Sequence, residues 1–197
     1  MPTGILNPKE APDSFTLLEL LVVIAIIAIL AALTIGAAEA VFKEAGRNRT
    51  KGEIQAISSA LEQYKTDNGI YATADFFGST NAYVTVDPTG ANYEDSSEAL
   101  YQALSSKTNF TDPSVPGAKS YFAFKITQVG NATSGAGPSY VQDAFGYSYG
   151  YYTGDTNQPP QETPNNGAGF FDFWSTGGNL NTTTTNPTNS WISNWQQ

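Results

Sequence analysis

The hydrophobic positions of this chain change their rhythm twice. From Phe15 to Leu33 the sequence is apolar on every side except at Glu19, and no charge falls between Leu20 and Ala38. That length is close to the ~20 apolar residues that cross a bilayer core as a helix. Beyond it the pattern narrows to one face. Ile54, Ile57, Leu61 and Tyr64 recur at three- and four-residue spacing, with Glu53, Gln55, Glu62 and Lys65 between them. Such spacing predicts an amphipathic helix. No proline interrupts residues 15–66, so both halves can join in one rod of roughly 75–80 Å at 1.5 Å per residue. Asn68-Gly69 supplies the stop.

Residues 72–118 are rich in Gly, Thr, Asn, Asp and Pro and read as a connecting loop with one helical patch around 96–104. After it the rhythm becomes that of strands. Residues 121–129 are aromatic and β-branched, 131–138 are a turn-rich break, and 147–153 and 170–175 are the next strand candidates. Three strands separated by long loops predict a small antiparallel sheet. The amphipathic half of the long helix would cover one of its faces, giving an α+β fold.

Composition removes whole classes of chemistry. The chain has neither Cys nor His, so disulfides, thiol catalysis, His-based triads and ordinary zinc sites are out. Its formal charge is −9, and −8 without residues 1–14, which carry Lys9, Glu10 and Asp13. An acidic surface of this kind does not suit nucleic acid, whose phosphates call for surplus Lys and Arg. Paired carboxylates are the remaining acid–base option, and Asp143 and Asp172 have ordinary turn and strand explanations. An enzyme is not expected.

Glu19 is the exception that needs a reason. A carboxylate inside an apolar span is expensive and should have a partner and a purpose. No Lys or Arg lies within the span. A free α-amino group, with a pKa of ~7.7–8.0, would supply the cation if the chain were cut before Phe15. A secretory signal peptide is the first competing reading, since Ala38-Glu39-Ala40 fits an A-x-A site. Its start, however, holds only Lys9 and Glu19 breaks the apolar core. A plain membrane anchor leaves Glu19 unexplained.

Phe15-Thr16-Leu17-Leu18-Glu19-Leu20-Leu21-Val22-Val23-Ile24 resembles the processing segment of type IV pilins and type II secretion pseudopilins. The resemblance implies cleavage between Ser14 and Phe15 by a prepilin peptidase, followed by methylation of the new amino terminus. Glu19 would then neutralise the amino terminus of a neighbouring subunit during assembly. Ser14 stands where the family usually has Gly, and Pro12 and Asp13 stand where it has basic residues. Lys43, Arg47, Arg49 and Lys51 lie just past the span. Charge bias alone would keep that side in the cytoplasm, so export of residues 40–197 requires the secretion machinery to recognise the chain.

Further segments resemble the major, G-type pseudopilin. They are residues 60–71 at the end of the helix, with Ala72 where the family has Pro, and Asp143-Ala144-Phe145-Gly146-Tyr147-Ser148-Tyr149, with Phe145 in place of Trp. The closing stretches 171–179 and 192–195 complete the set. Asp143 and Gly146 read as a structural turn: Asp accepts backbone N–H bonds and Gly takes a backbone form that side chains avoid. In the family a calcium ion ties down the final loop. Its acidic ligands fall here on Asn179, Asn189 and Trp191, and no acid lies between Gly177 and Gln197. Asn179 and Asn189 would bind calcium weakly, so no cofactor is expected. Trp191 and Trp195 are expected to fold back on the sheet instead.

Other features have structural readings. Gly36, Gly46 and Gly52 weaken the helix interior by about 1 kcal/mol each relative to Ala, fitting close packing or, at Gly36, local melting on assembly. Lys43, Arg47 and Lys51 share a face and read as a solvated stripe pairing with Glu39 and Glu44. The Tyr-rich stretch 147–152 is expected in the sheet rather than as a sugar-stacking surface.

These readings divide the chain into a leader (1–14), a membrane or filament-core helix (15–38), its amphipathic continuation (39–69) and a soluble domain (70–197). The implied protein is a pilin-like homo-oligomer, a helical filament subunit of a type II secretion pseudopilus in the bacterial inner membrane with its C-terminal domain periplasmic. Minor pseudopilins and an inner-membrane assembly platform would be its partners. The alternatives are a type IV pilin for adhesion, motility or DNA uptake, and an anchored carbohydrate-binding protein that never polymerises.

Overall fold

A computed structural model of the chain describes residues 15–72, 88–89, 91–133, 137–153, 166–167, 169–179 and 190–195, without the side chains of 34–37, 91 and 92. The long helix is present as α1, Leu17–Asn68. It ends at the expected stop, where Gly69 takes a φ of +81° and the Asn68 side chain donates to the Tyr64 carbonyl at 2.9 Å. A second helix, α2, covers Ala91–Ser105, longer than the patch expected from sequence. Its buried side chains Tyr93, Ser97, Leu100, Tyr101 and Leu104 recur at helical spacing. Gly36 lies among the residues whose side-chain surroundings are not described.

The strands form two small antiparallel sheets. Val129–Gly130 (β1) pairs with Tyr140–Val141 (β2). Gly150–Tyr152 (β3), Asp172–Ser175 (β4) and Ile192–Ser193 (β5) form the other in the order β3-β4-β5. The registers are Tyr151 opposite Phe173 and Trp174 opposite Ser193.

One expected strand is corrected. Among the described residues, 121–125 pair with no strand, a 3-10 turn occupies Ile126–Gln128, and only the last residue of the expected stretch joins β1. The backbone N–H groups of Tyr121 and Phe122 both donate to the Leu104 carbonyl, at 2.7 and 3.0 Å. They satisfy an orphan acceptor at the end of α2 instead of a ladder. The aromatic rings there still pack inward, Phe122 on Phe124 and Phe124 on Tyr101.

The contacts divide the chain into one unit ending at Lys43 and another from Glu44 onward. In the second unit the stripe Ile54, Ile57 and Leu61 joins Tyr149, Tyr151 and Phe173 with Leu100, Tyr101 and Leu104 in one core. Trp174 and Tyr152 belong to another cluster, with Tyr93 and Trp191. Both faces of β3 and β4 are therefore covered, and every residue of the two strands is buried. This is the pilin-like α+β arrangement, a long helix packed on small antiparallel sheets. Tyr149, Tyr151 and Tyr152 are buried, so these rings of the Tyr-rich stretch are core rather than a sugar platform.

Candidate functional site

The start of α1 is a hydrogen-bonded cap. Thr16 is the residue before the helix and Glu19 the third within it. The Thr16 amide and hydroxyl donate to Glu19 Oε2, at 2.8 and 2.7 Å, and the Glu19 amide donates to the Thr16 hydroxyl at 3.2 Å. This is a reciprocal capping box, two orphan donors of the helix end being satisfied at once. The signal for it is Thr-x-x-Glu in Thr16-Leu17-Leu18-Glu19, a pattern that a reading of Glu19 as an uncompensated charge misses. The box fixes the carboxylate at the amino end of the helix, where the backbone dipole favours negative charge.

Around that cap the surface is apolar and uncovered. Phe15 is 76% exposed, Leu18 70% and Leu30 57%. Among the described residues α1 is the one helix long and apolar enough to cross a membrane, which fits membrane anchoring. The ion pairs among the described residues are Arg49 with Glu53 and Lys119 with Asp67. Glu19 is in neither. Ser14, the other half of the expected cleavage site, lies outside the described residues.

The Asp143 turn is built as its residue types require. Asp143 Oδ1 accepts from the amides of Phe145 and Tyr147, both at 2.9 Å, and Oδ2 accepts from the Ser175 hydroxyl at 2.5 Å. Gly146 takes a φ of +85°. Burial raises the Asp143 pKa above the usual carboxylate range and the three donors oppose that rise, while Glu53 adds to it. The Phe145 ring lies between two glycines: an added Cβ would stand 3.0 Å from it at Gly46 and 2.9 Å at Gly178. Gly46 is therefore a close-packing residue, its missing side chain making room for the turn on α1. The buried Glu53 accepts from Arg49 at 2.8 Å and from the Tyr149 phenol at 2.9 Å. Burial and the neighbouring Glu53 push that phenol well above its ordinary pKa. Tyr149 and Phe145 meet α1 at Glu53 and Gly46, while Asp143 ties its own turn to Ser175 of β4.

The closing segment is held by aromatics and one cation. Trp191 is 4% exposed and stacks on Trp174 with ring centres 5.6 Å apart. Trp195 meets Trp174 edge-on at 5.7 Å, and the Trp174 indole N–H donates to the Tyr93 hydroxyl at 3.0 Å. The Asn194 side chain extends the sheet, accepting from the Phe173 amide and donating to the Phe171 carbonyl. Asn179 Nδ2 donates to Ser190 Oγ at 3.2 Å, and Asn189 lies outside the described residues. Arg47, expected in a solvated stripe with Glu39 and Glu44, instead donates from Nη1 to the Ser190 carbonyl at 2.9 Å. The missed signal is spacing: positions 47, 50, 54, 57 and 61 continue the buried stripe one turn toward the amino end.

The chain is similar to several curated proteins named type II secretion system core protein G. It is 39% identical to that of Klebsiella michiganensis over 67 residues, 34% of this chain and 47% of the relative. Against Pseudomonas aeruginosa the identity is 44% over 63 residues, 32% and 44% of the two chains. Against Escherichia coli it is 38% over 89 residues, 45% and 61%. The chain thus spans about half the length of the curated relatives it matches. No family model matches it, and no solved structure does.

Proposed function

We propose that this chain is a structural subunit of a type II secretion pseudopilus, cut before Phe15 and polymerised through α1. The observation that carries the reading is Glu19, a carboxylate fixed by Thr16 at the tip of the apolar, uncovered first stretch of α1. An uncovered apolar surface of this extent needs lipid, neighbouring helices, or each in turn. Before assembly residues 15–38 would sit in the inner membrane; afterwards they would form the filament core. The resemblance to core protein G supports the secretion setting over a surface pilus.

The cap gives the charge chemistry a direction. Both bonds from Thr16 fall on Oε2, so Oε1 keeps its lone pairs for a second donor. A methylated α-ammonium on Phe15 of a neighbouring copy carries N–H donors and a full positive charge. In a low-dielectric helix bundle such a pair attracts far more strongly than in water, and it is made only when two subunits stand in one register. Cleavage by prepilin peptidase therefore creates the partner, and Glu19 reads it. Work on the filament would come from an assembly ATPase and an inner-membrane platform, with minor pseudopilins at its tip and residues 40–197 in the periplasm.

Mass spectrometry of the protein taken from membranes tests the first step. A mature chain beginning at methylated Phe15 is expected. A chain beginning at Met1, or at Val41 after signal-peptide cleavage, overturns the proposal. Deletion that abolishes secretion without removing surface fibres is expected; lost surface fibres with intact secretion would indicate a type IV pilin.

A further inference from the structure

We infer that Arg47 is the built-in cation of the loop between β4 and β5, and that this chain holds the loop's ends without calcium. The donor set does not fit a calcium ion. Calcium takes six to eight hard oxygens, and its affinity follows how many of them are charged. From Gly177 to Gln197 there is no Asp or Glu, and the described residues contain no group of three potential acidic, His or Cys ligands. The Ser190 carbonyl, an oxygen a metal would use, already accepts from the Arg47 guanidinium. A second cation there would meet a fixed positive charge.

The guanidinium occupies a slot that the backbone leaves open for it. Gly177 has a φ of +66°, and an added Cβ would stand 2.7 Å from Arg47 Nη1 and 2.5 Å from the Ser190 oxygen. No side chain fits between them. The slot is also fixed on both flanks. On one, the Ser175 hydroxyl accepts from the Gly177 amide at 2.9 Å and donates to Asp143. On the other, Trp191 stacks on Trp174 and Ile192 pairs with Ser175. Arg47 itself comes from α1, next to the fully buried Thr50 on the same stripe. One charge-assisted hydrogen bond, stronger than a neutral one, thus joins the long helix to the carbonyl that opens the last strand. Unlike a bound metal, this cation cannot dissociate, so order at the loop's ends does not follow calcium concentration.

The test uses the full-length protein in detergent micelles, with calcium chloride alone or EGTA alone as the probe. Thermal unfolding is read beside protease cleavage after Gly177. For the parent, neither probe should shift the midpoint or the cleavage pattern. Arg47→Met, which keeps the apolar stem, should speed cleavage in the segment by about tenfold or more, the opening that a hydrogen bond to a charged group controls. Calcium should not restore it, and Arg47→Lys should restore it in part. Gly177→Ala should give the same fast cleavage by displacing the guanidinium. A midpoint that rises several degrees with calcium, or a loop that EGTA exposes, overturns the inference on the parent alone. So does an Arg47→Met protein cleaved no faster than the parent. These outcomes are independent of whether the chain polymerises.

Discussion

The two ends of α1 are one helix in two environments. From Leu17 to Leu33 every position is exposed, and the cap at Thr16 and Glu19 is the side-chain structure that this stretch makes for itself. From Thr50 to Leu61 buried residues return at three- and four-residue spacing along one face: Thr50, Glu53, Ile54, Ile57, Ala60 and Leu61. The same secondary structure therefore rests on different terms. In the first stretch its apolar surface is left uncovered. In the second it already has a sheet. A side chain's worth depends on where along the helix it stands.

Substitutions can break this contrast. The largest effect is expected at Trp174, fully buried between Tyr93, Trp191 and Trp195. Trp174→Ala should lower the unfolding free energy of the C-terminal unit by about 3–5 kcal/mol, read by denaturant unfolding, while membrane retention stays at the parent level. A variant that leaves the membrane would mean the two units are not independent. The sharpest form is one substitution made twice. Leu61→Ala should cost about 2–4 kcal/mol, whereas Leu30→Ala, 57% exposed, should shift the same unfolding transition by no more than ~0.5 kcal/mol. Equal losses would contradict the contrast.

Asp143 adds a pH-dependent effect. Asp143→Ala strands two amides and the Ser175 hydroxyl, for a loss of about 3 kcal/mol. Asp143→Asn keeps acceptors for the amides and removes the charge. Because burial raises the folded pKa above the unfolded one, the protonated form favours the folded state. That contribution is complete below the unfolded value and is lost as pH rises through the raised folded value. The parent should therefore gain stability relative to Asp143→Asn as pH falls through that window. A melting-temperature difference that stays flat with pH would contradict it.

The parts legible in sequence were those governed by local rules. The apolar run, the stripe at 54, 57, 61 and 64, the Asn68-Gly69 stop and the Asp143 turn all follow from spacing or turn chemistry within a few residues. The parts that were not legible depend on partners distant in sequence. Residues 121–129 have strand composition, but Tyr121 and Phe122 give their amides to Leu104, a choice no local pattern encodes. Arg47 looked like a solvated cation because its type outweighed its position, and its carbonyl partner lies 143 residues away. Gly46 was legible as a close-packing residue, but its partner Phe145 lies 99 positions on and no local pattern names it. The cost of Glu19 is legible in its apolar surroundings, but cost points to a cation, whereas its partners within the chain are the Thr16 hydroxyl and amide.

If Glu19 couples subunits by charge, as proposed, Glu19→Gln should uncouple them. Glutamine at the third helical position keeps the capping box, so the helix end survives and only the charge is lost. The measurement is the amount of sedimentable polymer per processed subunit in cells making variant or parent. The variant should give a parent-like yield of processed, membrane-held chain, with polymer reduced about tenfold or more. Polymer at the parental level would contradict it.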